Sequence, residues 1–105
     1  MQFEFEKLEV YQRSIKFVDL IYKLTNKFPK TEQFGLVNQL RRAALSIASN
    51  IAEGAGRYHN NEKRRFYRMS RSSVHECPLN LHIFWSELFI PKMISGLINS
   101  LPTPN

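Results

Sequence analysis

Apolar side chains recur every three or four residues through the middle of the chain, and this spacing restricts the chain to helical folds. The clearest stripe consists of Leu36, Leu40, Ala43, Ala44, Ile47 and Ile51. Residues at this spacing share one face of an α-helix, because a turn takes about 3.6 residues. The stripe predicts a helix over 31–53, with Thr31 as N-cap and Gly54 ending it in the left-handed conformation.

A first helix is predicted before this one, over 6–28, because two apolar stripes run along the same segment. One stripe contains Leu8, Tyr11, Ile15, Val18 and Tyr22, and the other contains Val10, Phe17, Ile21 and Leu24. Pro29 ends the helix, since proline disfavours helical geometry in the residue before it. Two stripes on one helix predict packing contacts on two sides.

A third helix is predicted from Asn60, a good N-cap, to at least Cys77. At helical spacing, one side carries Phe66, Met69, Ser70, Ser73 and Cys77, and the opposite side carries Arg64, Arg68, Arg71 and His75. The first side is expected to be buried and the second solvated.

A short last helix is predicted after Pro91. Its inward residues are expected to be Met93, Ile94, Leu97, Ile98 and Leu101. With 105 residues and no internal repeat, the chain is predicted to form one domain, 1–105. The fold class is all-α, and short connections favour an antiparallel up-down four-helix bundle.

Positive charge is concentrated in the second and third helices. Between Gly35 and Cys77, eight Arg or Lys residues outnumber three Glu residues, which gives +5 of the total net charge of +6. Arginine suits phosphate because its planar guanidinium can donate two parallel hydrogen bonds. The candidate phosphate-contacting residues are Arg57, Lys63, Arg64, Arg65, Arg68 and Arg71. The alternative is a solvated helix face with ion pairs between subunits.

Residue types that serve catalysis or metal binding occur without a supporting arrangement. His75 and His82 are seven residues apart, but Pro78 lies between them and no carboxylate completes a ligand set, so no metal site is predicted. His75 and Cys77 point about 200° apart on a helix and cannot form a nucleophile–base pair. Residues 54–56, Gly-Ala-Gly, lack the strand and the glycine spacing of a phosphate loop.

Several segments together resemble a known family, the four-helix-bundle proteins encoded in intervening sequences of bacterial 23S rRNA genes. The resemblance is carried by FEKLEVYQ (5–12), IYKLT (21–25), FPK (28–30), GLVNQLRRAA (35–44), SNIAEG (49–54), FYRM (66–69), SVHEC (73–77) and KMISGLINSL (92–101). The chain departs from the family between Pro78 and Pro91, where members carry a longer connection. This departure predicts a short fourth helix or an internal deletion.

The resemblance implies a ring-like homo-oligomer, typically a pentamer, without catalytic activity. It also implies kinship with the accessory protein of diversity-generating retroelements, a basic ring that binds nucleic acid. From the residues, self-association is expected because helix 1 has two apolar stripes and helix 2 has a second stripe of Arg42, Ser46, Ser49 and Glu53. These four residues are the predicted oligomer interface.

The sequence therefore predicts a non-enzymatic bacterial assembly protein that binds structured RNA or DNA through an arginine-rich face. The alternative is a purely structural or protein-interaction homo-oligomer without a nucleic-acid role. One cysteine is typical of a protein in the reducing cytoplasm. No cofactor, small-molecule substrate or membrane partner is predicted.

Overall fold

Four α-helices lie within the part of the chain that the structure describes. The computed structural model describes residues 4–76 and 90–101, and these residues contain helices and turns but no strand. The helices are α1 (Glu9–Thr25), α2 (Asn38–Ala55), α3 (Asn60–Glu76) and α4 (Ile90–Asn99). The prediction of an all-α helical bundle is confirmed. The segment between Pro78 and Pro91 lies mostly outside the described residues.

Helix α1 is shorter than predicted, because a 3₁₀ turn over Glu4–Lys7 precedes it. Its buried stripe consists of Val10, Ser14, Phe17, Ile21 and Thr25. The apolar members of this stripe were predicted, but its two hydroxyl residues were not. Both hydroxyls donate to carbonyls of their own helix, Ser14 to Tyr11 at 2.6 Å and Thr25 to Ile21 at 2.7 Å. Burial therefore leaves neither hydroxyl unpaired.

Arg41 fixes the packing of α1 against α2. Its Nε donates to Thr25 Oγ1 at 2.9 Å and its Nη2 donates to Asn26 Oδ1 at 2.9 Å. The guanidinium carbon lies 4.4 Å from the centroid of the Tyr22 ring, which adds a cation–π contact. Because the end of α1 meets the start of α2, the two helices are antiparallel.

The start of α2 differs from the prediction. Lys30–Glu32 form a 3₁₀ turn and Gln33–Val37 form a π-helical turn, so regular helix begins at Asn38 rather than near Thr31. The predicted core stripe is confirmed, because Leu40, Ala44, Ile47 and Ile51 are buried and Leu36 and Ala43 pack against them.

The predicted end of α2 at Gly54 is wrong. The helix continues to Ala55, and the capping residue Gly56 is right-handed, with φ −84° and ψ −6°. Gly54 instead provides space for α3, because a Cβ at this position would lie 2.6 Å from the Tyr67 ring. Glycine is used here for close approach of two helices rather than for a left-handed turn.

Helices α3 and α4 complete the bundle. Helix α3 starts at Asn60 as predicted and packs mainly against α2 and α4. Helix α4 carries Pro91 in its first turn, where the missing N–H removes no helix hydrogen bond. It places Ile94 and Ile98 in the core, as predicted, and Leu101 packs at the edge of the core.

Candidate functional site

The interface between α2 and α3 is built from small and polar residues, so the two backbones lie close together. Ser70, which is fully buried, donates from Oγ to the Ile47 carbonyl of α2 at 2.8 Å. Near the other end, Lys63 Nζ donates to the Ala55 carbonyl at 3.0 Å. These contacts pair the start of α3 with the end of α2, which makes the helices antiparallel.

A chain of hydrogen bonds crosses this interface. Asn50 Nδ2 lies 2.8 Å from the Ser46 carbonyl and 3.1 Å from Ser46 Oγ, Ser46 Oγ lies 2.9 Å from Ser73 Oγ, and Ser73 Oγ lies 3.1 Å from the Met69 carbonyl. Because a carbonyl only accepts, Ser73 donates to Met69 and therefore accepts from Ser46. Ser46 in turn accepts from Asn50, so the direction of the whole chain is fixed.

Two open recesses meet at Ser46 and Ser73 and form one groove along α2 and α3. The first, of about 440 Å³, is lined by Gly35, Asn38, Gln39, Arg42, Ala43, Ser46 and Ser73. The second, of about 500 Å³, is lined by Ser46, Asn50, Arg65, Arg68, Met69, Ser72 and Ser73. We call these two recesses together the α2–α3 groove. Among the described lining residues there are three arginines and no carboxylate.

The three arginines of the α2–α3 groove are exposed and available to a ligand. Arg42, Arg65 and Arg68 are each exposed, and no ion pair joins them to another residue that the structure describes. Arg42 lies one helical turn before Ser46, and Arg65 lies two turns before Ser73. Because the helices are antiparallel, these two offsets run in opposite directions from the Ser46–Ser73 contact. At about 1.5 Å per residue, Arg42 and Arg65 are therefore about 18 Å apart along the groove.

Two other predicted phosphate-contacting residues are engaged within the chain. Lys63 is half-buried and donates to carbonyls at the end of α2. Arg57 pairs with Glu53 at 3.3 Å and Glu62 at 3.9 Å, and its guanidinium carbon lies 4.7 Å from the centroid of the Phe66 ring. A phosphate would compete with these contacts, so the structure favours Arg65 and Arg68 over Lys63 and Arg57.

Arg64 was predicted to be solvated, and this prediction is wrong. Its residue surface is 8% exposed, and Nη1 donates to Asn61 Oδ1 at 3.0 Å. Arg71, predicted to be solvated with it, is half-buried. The long aliphatic stem of arginine allows burial along apolar surface.

The cause is the rotation of α3, which differs from the predicted one by about 75° at about 100° per residue. Its buried face is centred on Tyr67, Ser70 and Val74. Phe66 is consequently only half-buried and Met69 is 43% exposed, although both were predicted to be inside. The same rotation turns Arg65 to solvent, and Arg68 is exposed as predicted.

The predicted oligomer interface divides between different environments. Ser46 contacts α3 of its own chain through Ser73, and Glu53 pairs with Arg57. Arg42 and Ser49 are exposed. The backbone that approaches the small residues of α2 at Ser46 is thus α3 of the same chain.

The predictions on metal binding and on membrane association can be compared with the described residues. Within 4–76 and 90–101, no three His, Cys, Asp or Glu side chains cluster closely enough to hold a metal ion. In the same part of the chain, no helix has the length and apolar character needed to cross a membrane. The predictions on Cys77, His82 and the side chain of His75 lie outside what is described.

Most of the chain matches one known protein family. A family model described as 23S rRNA-intervening sequence protein matches residues 6–99. The chain belongs to this family. The resemblance carried by the sequence segments is thereby confirmed, and the match spans the four described helices and the α2–α3 groove. No curated protein matches the chain.

Sequence reasoning missed two parts of this family member's groove. The bonds of Asn50 to Ser46 were not predicted. The pairing of Ser46 with Ser73 was also missed, although serines at inward positions of two neighbouring helices are a usable signal for close helix packing.

Proposed function

We propose that this member of the 23S rRNA-intervening sequence protein family is a non-enzymatic nucleic-acid-binding protein that contacts the phosphate backbone through the α2–α3 groove. The observation that carries the proposal is the pair Arg65 and Arg68. Both are exposed, line one recess, and have no carboxylate partner among the described residues. Arg42 extends the same basic surface along α2.

The groove chemistry matches a phosphate backbone better than a set of bases. About 18 Å of groove covers several consecutive phosphates, since phosphates of one strand are spaced by about 3.4 Å along a duplex axis. The described lining contains no aromatic side chain on which a base could stack. Binding is therefore expected to depend strongly on salt and weakly on base sequence.

The test is a double variant, Arg65→Gln with Arg68→Gln. Affinity falls as salt rises, and each lost phosphate contact makes the slope of log affinity against log salt less steep by about 0.7–0.9. The double variant is therefore expected to reduce the steepness by about 1.4–1.8. Exposed substitutions of this kind shift stability by only about 0.5 kcal/mol. Affinity for a fluorescent RNA is measured at several salt concentrations, together with thermal unfolding.

The matched control is Lys16→Gln with Lys27→Gln on the α1 side, which removes the same charge from two exposed positions. It is expected to keep the parental slope. If the groove variant and the control have the same slope, net charge rather than the groove determines binding, and the proposal is wrong.

A second candidate function, a structural homo-oligomer, is favoured by one observation. Ile15, Leu20, Leu24 and Leu45 are 38–46% exposed on α1 and α2. These side chains offer apolar surface to a second copy, and the ring pentamer that the family resemblance implies would cover such surface. Light scattering of the parent and of Leu45→Glu tests this candidate. A monomeric parent mass at micromolar concentration contradicts it.

A further inference from the structure

Asn50 presents a fixed hydrogen-bond acceptor to the α2–α3 groove. Nδ2 lies within hydrogen-bonding distance of two Ser46 acceptors, 2.8 Å from the carbonyl oxygen and 3.1 Å from the hydroxyl oxygen. Reversing the amide would set Oδ1 against the Ser46 carbonyl, which cannot donate, so the orientation is determined by the contacts. Asn50 Oδ1 therefore faces away from Ser46.

This oxygen is open to a ligand. Asn50 is half-buried and lines the same recess as Arg65 and Arg68. Its Oδ1 accepts no hydrogen bond from the residues described, and it is not among their buried unpaired atoms. The recess thus combines two guanidinium groups, which only donate, with an oriented acceptor, which can accept from a donor on the ligand.

A DNA backbone offers no donor to this acceptor. Its phosphate, ether and deoxyribose groups carry no hydrogen-bond donor, whereas each ribose of RNA carries a 2′-hydroxyl that can donate. We infer that the groove selects RNA over DNA, with Arg65 and Arg68 on the phosphates and Asn50 Oδ1 accepting from a 2′-hydroxyl. This inference rests on the proposed nucleic-acid-binding function and adds the substrate class.

The expected selectivity is modest. One net hydrogen bond contributes about 0.5–1.5 kcal/mol, which corresponds to about 2- to 10-fold in affinity. The test compares a single-stranded RNA with a uracil-containing DNA of the same base sequence, so that only the 2′ position differs. RNA is expected to bind about 2- to 10-fold more tightly at one salt concentration.

A third strand, 2′-fluoro RNA, separates donation from sugar shape. It keeps the ribose pucker of RNA but has no 2′ donor, so it is expected to bind to the unmodified protein as DNA does. This comparison needs no substitution and is independent of folding. If 2′-fluoro RNA binds as tightly as RNA, the groove recognises strand shape and the role of Asn50 is refuted.

The variant Asn50→Ala tests whether Asn50 causes the preference for RNA. It is expected to lose the preference for RNA while keeping the affinity for DNA, and Ser49→Ala, at an exposed neighbouring position, is expected to keep both. Retention of the RNA preference in Asn50→Ala overturns the inference. Equal, salt-dependent binding of RNA and DNA by the parent also overturns it but leaves the proposed function standing. If the parent binds neither RNA nor DNA, both the inference and the proposed function are wrong.

Discussion

Replacing Gly54 with alanine tests how closely α2 and α3 pack. The added Cβ would lie 2.6 Å from Tyr67 Cε1, 2.8 Å from Tyr67 Cδ1 and 3.1 Å from Phe66 Cβ. Contacts this short require the ring or the helices to move. Tyr67 is only 3% exposed, so the ring has little room to turn aside.

The magnitude follows from two opposing effects. Alanine is favoured over glycine in a helix interior by about 1 kcal/mol. Overpacking a core costs about 1–3 kcal/mol, and the two shortest contacts at Gly54 favour the upper end of this range. The net expectation is a loss of about 2 kcal/mol in the free energy of unfolding, or roughly 10 °C in Tm for a domain of this size.

Gly56 provides the matched control, because it lies two residues away in an open site. A Cβ there would meet only the Ala52 and Glu53 carbonyls at 3.6 and 3.7 Å, and φ is already right-handed. Gly56→Ala is expected to stabilise the protein by about 0.5 kcal/mol through lower entropy of the unfolded chain.

Urea unfolding followed by far-UV circular dichroism, at one protein concentration, measures both variants. A double variant that adds Tyr67→Leu to Gly54→Ala is expected to recover part of the loss, which identifies the ring as the cause. The reasoning fails if Gly54→Ala is as stable as Gly56→Ala.

Two further predictions concern polar groups of the same interface. Ser70→Ala removes the buried bond to the Ile47 carbonyl and is expected to lower the free energy of unfolding by about 1–2 kcal/mol; unchanged urea unfolding would show that this bond is not needed. Burial raises the pKa of Tyr67 above 10.0, because the neutral phenol is favoured inside the fold. Below pH 10 the Tyr67 phenol is protonated in both the folded and the unfolded chain, and above pH 10 it ionises first in the unfolded chain. Its contribution to the free energy of unfolding is therefore present below pH 10 and is lost as the pH rises through the folded-state pKa. An ultraviolet absorbance titration of the parent against Tyr67→Phe measures it, and an unshifted Tyr67 would contradict the burial argument.

The sequence was sufficient to predict the helices and the rotation of α2. Leu40, Ala44, Ile47 and Ile51 form one apolar stripe, and no competing stripe of comparable strength exists on that helix. Exact boundaries were less predictable, because the 3₁₀ and π-helical turns before α2 depend on how the chain passes from α1 to α2.

The rotation of α3 was not predictable from its own pattern. The helix is polar overall, and its buried face contains Ser70 and Ser73 between the larger residues Tyr67 and Val74. The space beside Gly54 decides which aromatic residue faces inward, and this space belongs to another helix. Arg64 was assigned to the solvated face for the same reason.

The α2–α3 groove could not be predicted from the pattern of either helix alone. The Ser46–Ser73 bond depends on how α2 and α3 are aligned along their axes, and the periodicity of a single helix does not contain that alignment. Of the predicted phosphate-contacting residues, only Arg65 and Arg68 are among the described residues that line the groove.

The most direct test of the central claim observes the arginine side chains during binding. The Nε–H signals in NMR spectra report each guanidinium, and Arg65→Lys and Arg68→Lys assign the two groove signals. Addition of a short RNA is expected to shift the Arg65 and Arg68 signals, while that of Arg13, which pairs with Glu9 on α1 at 2.8 Å, stays in place. Bound RNA that leaves both groove signals unchanged would contradict the account.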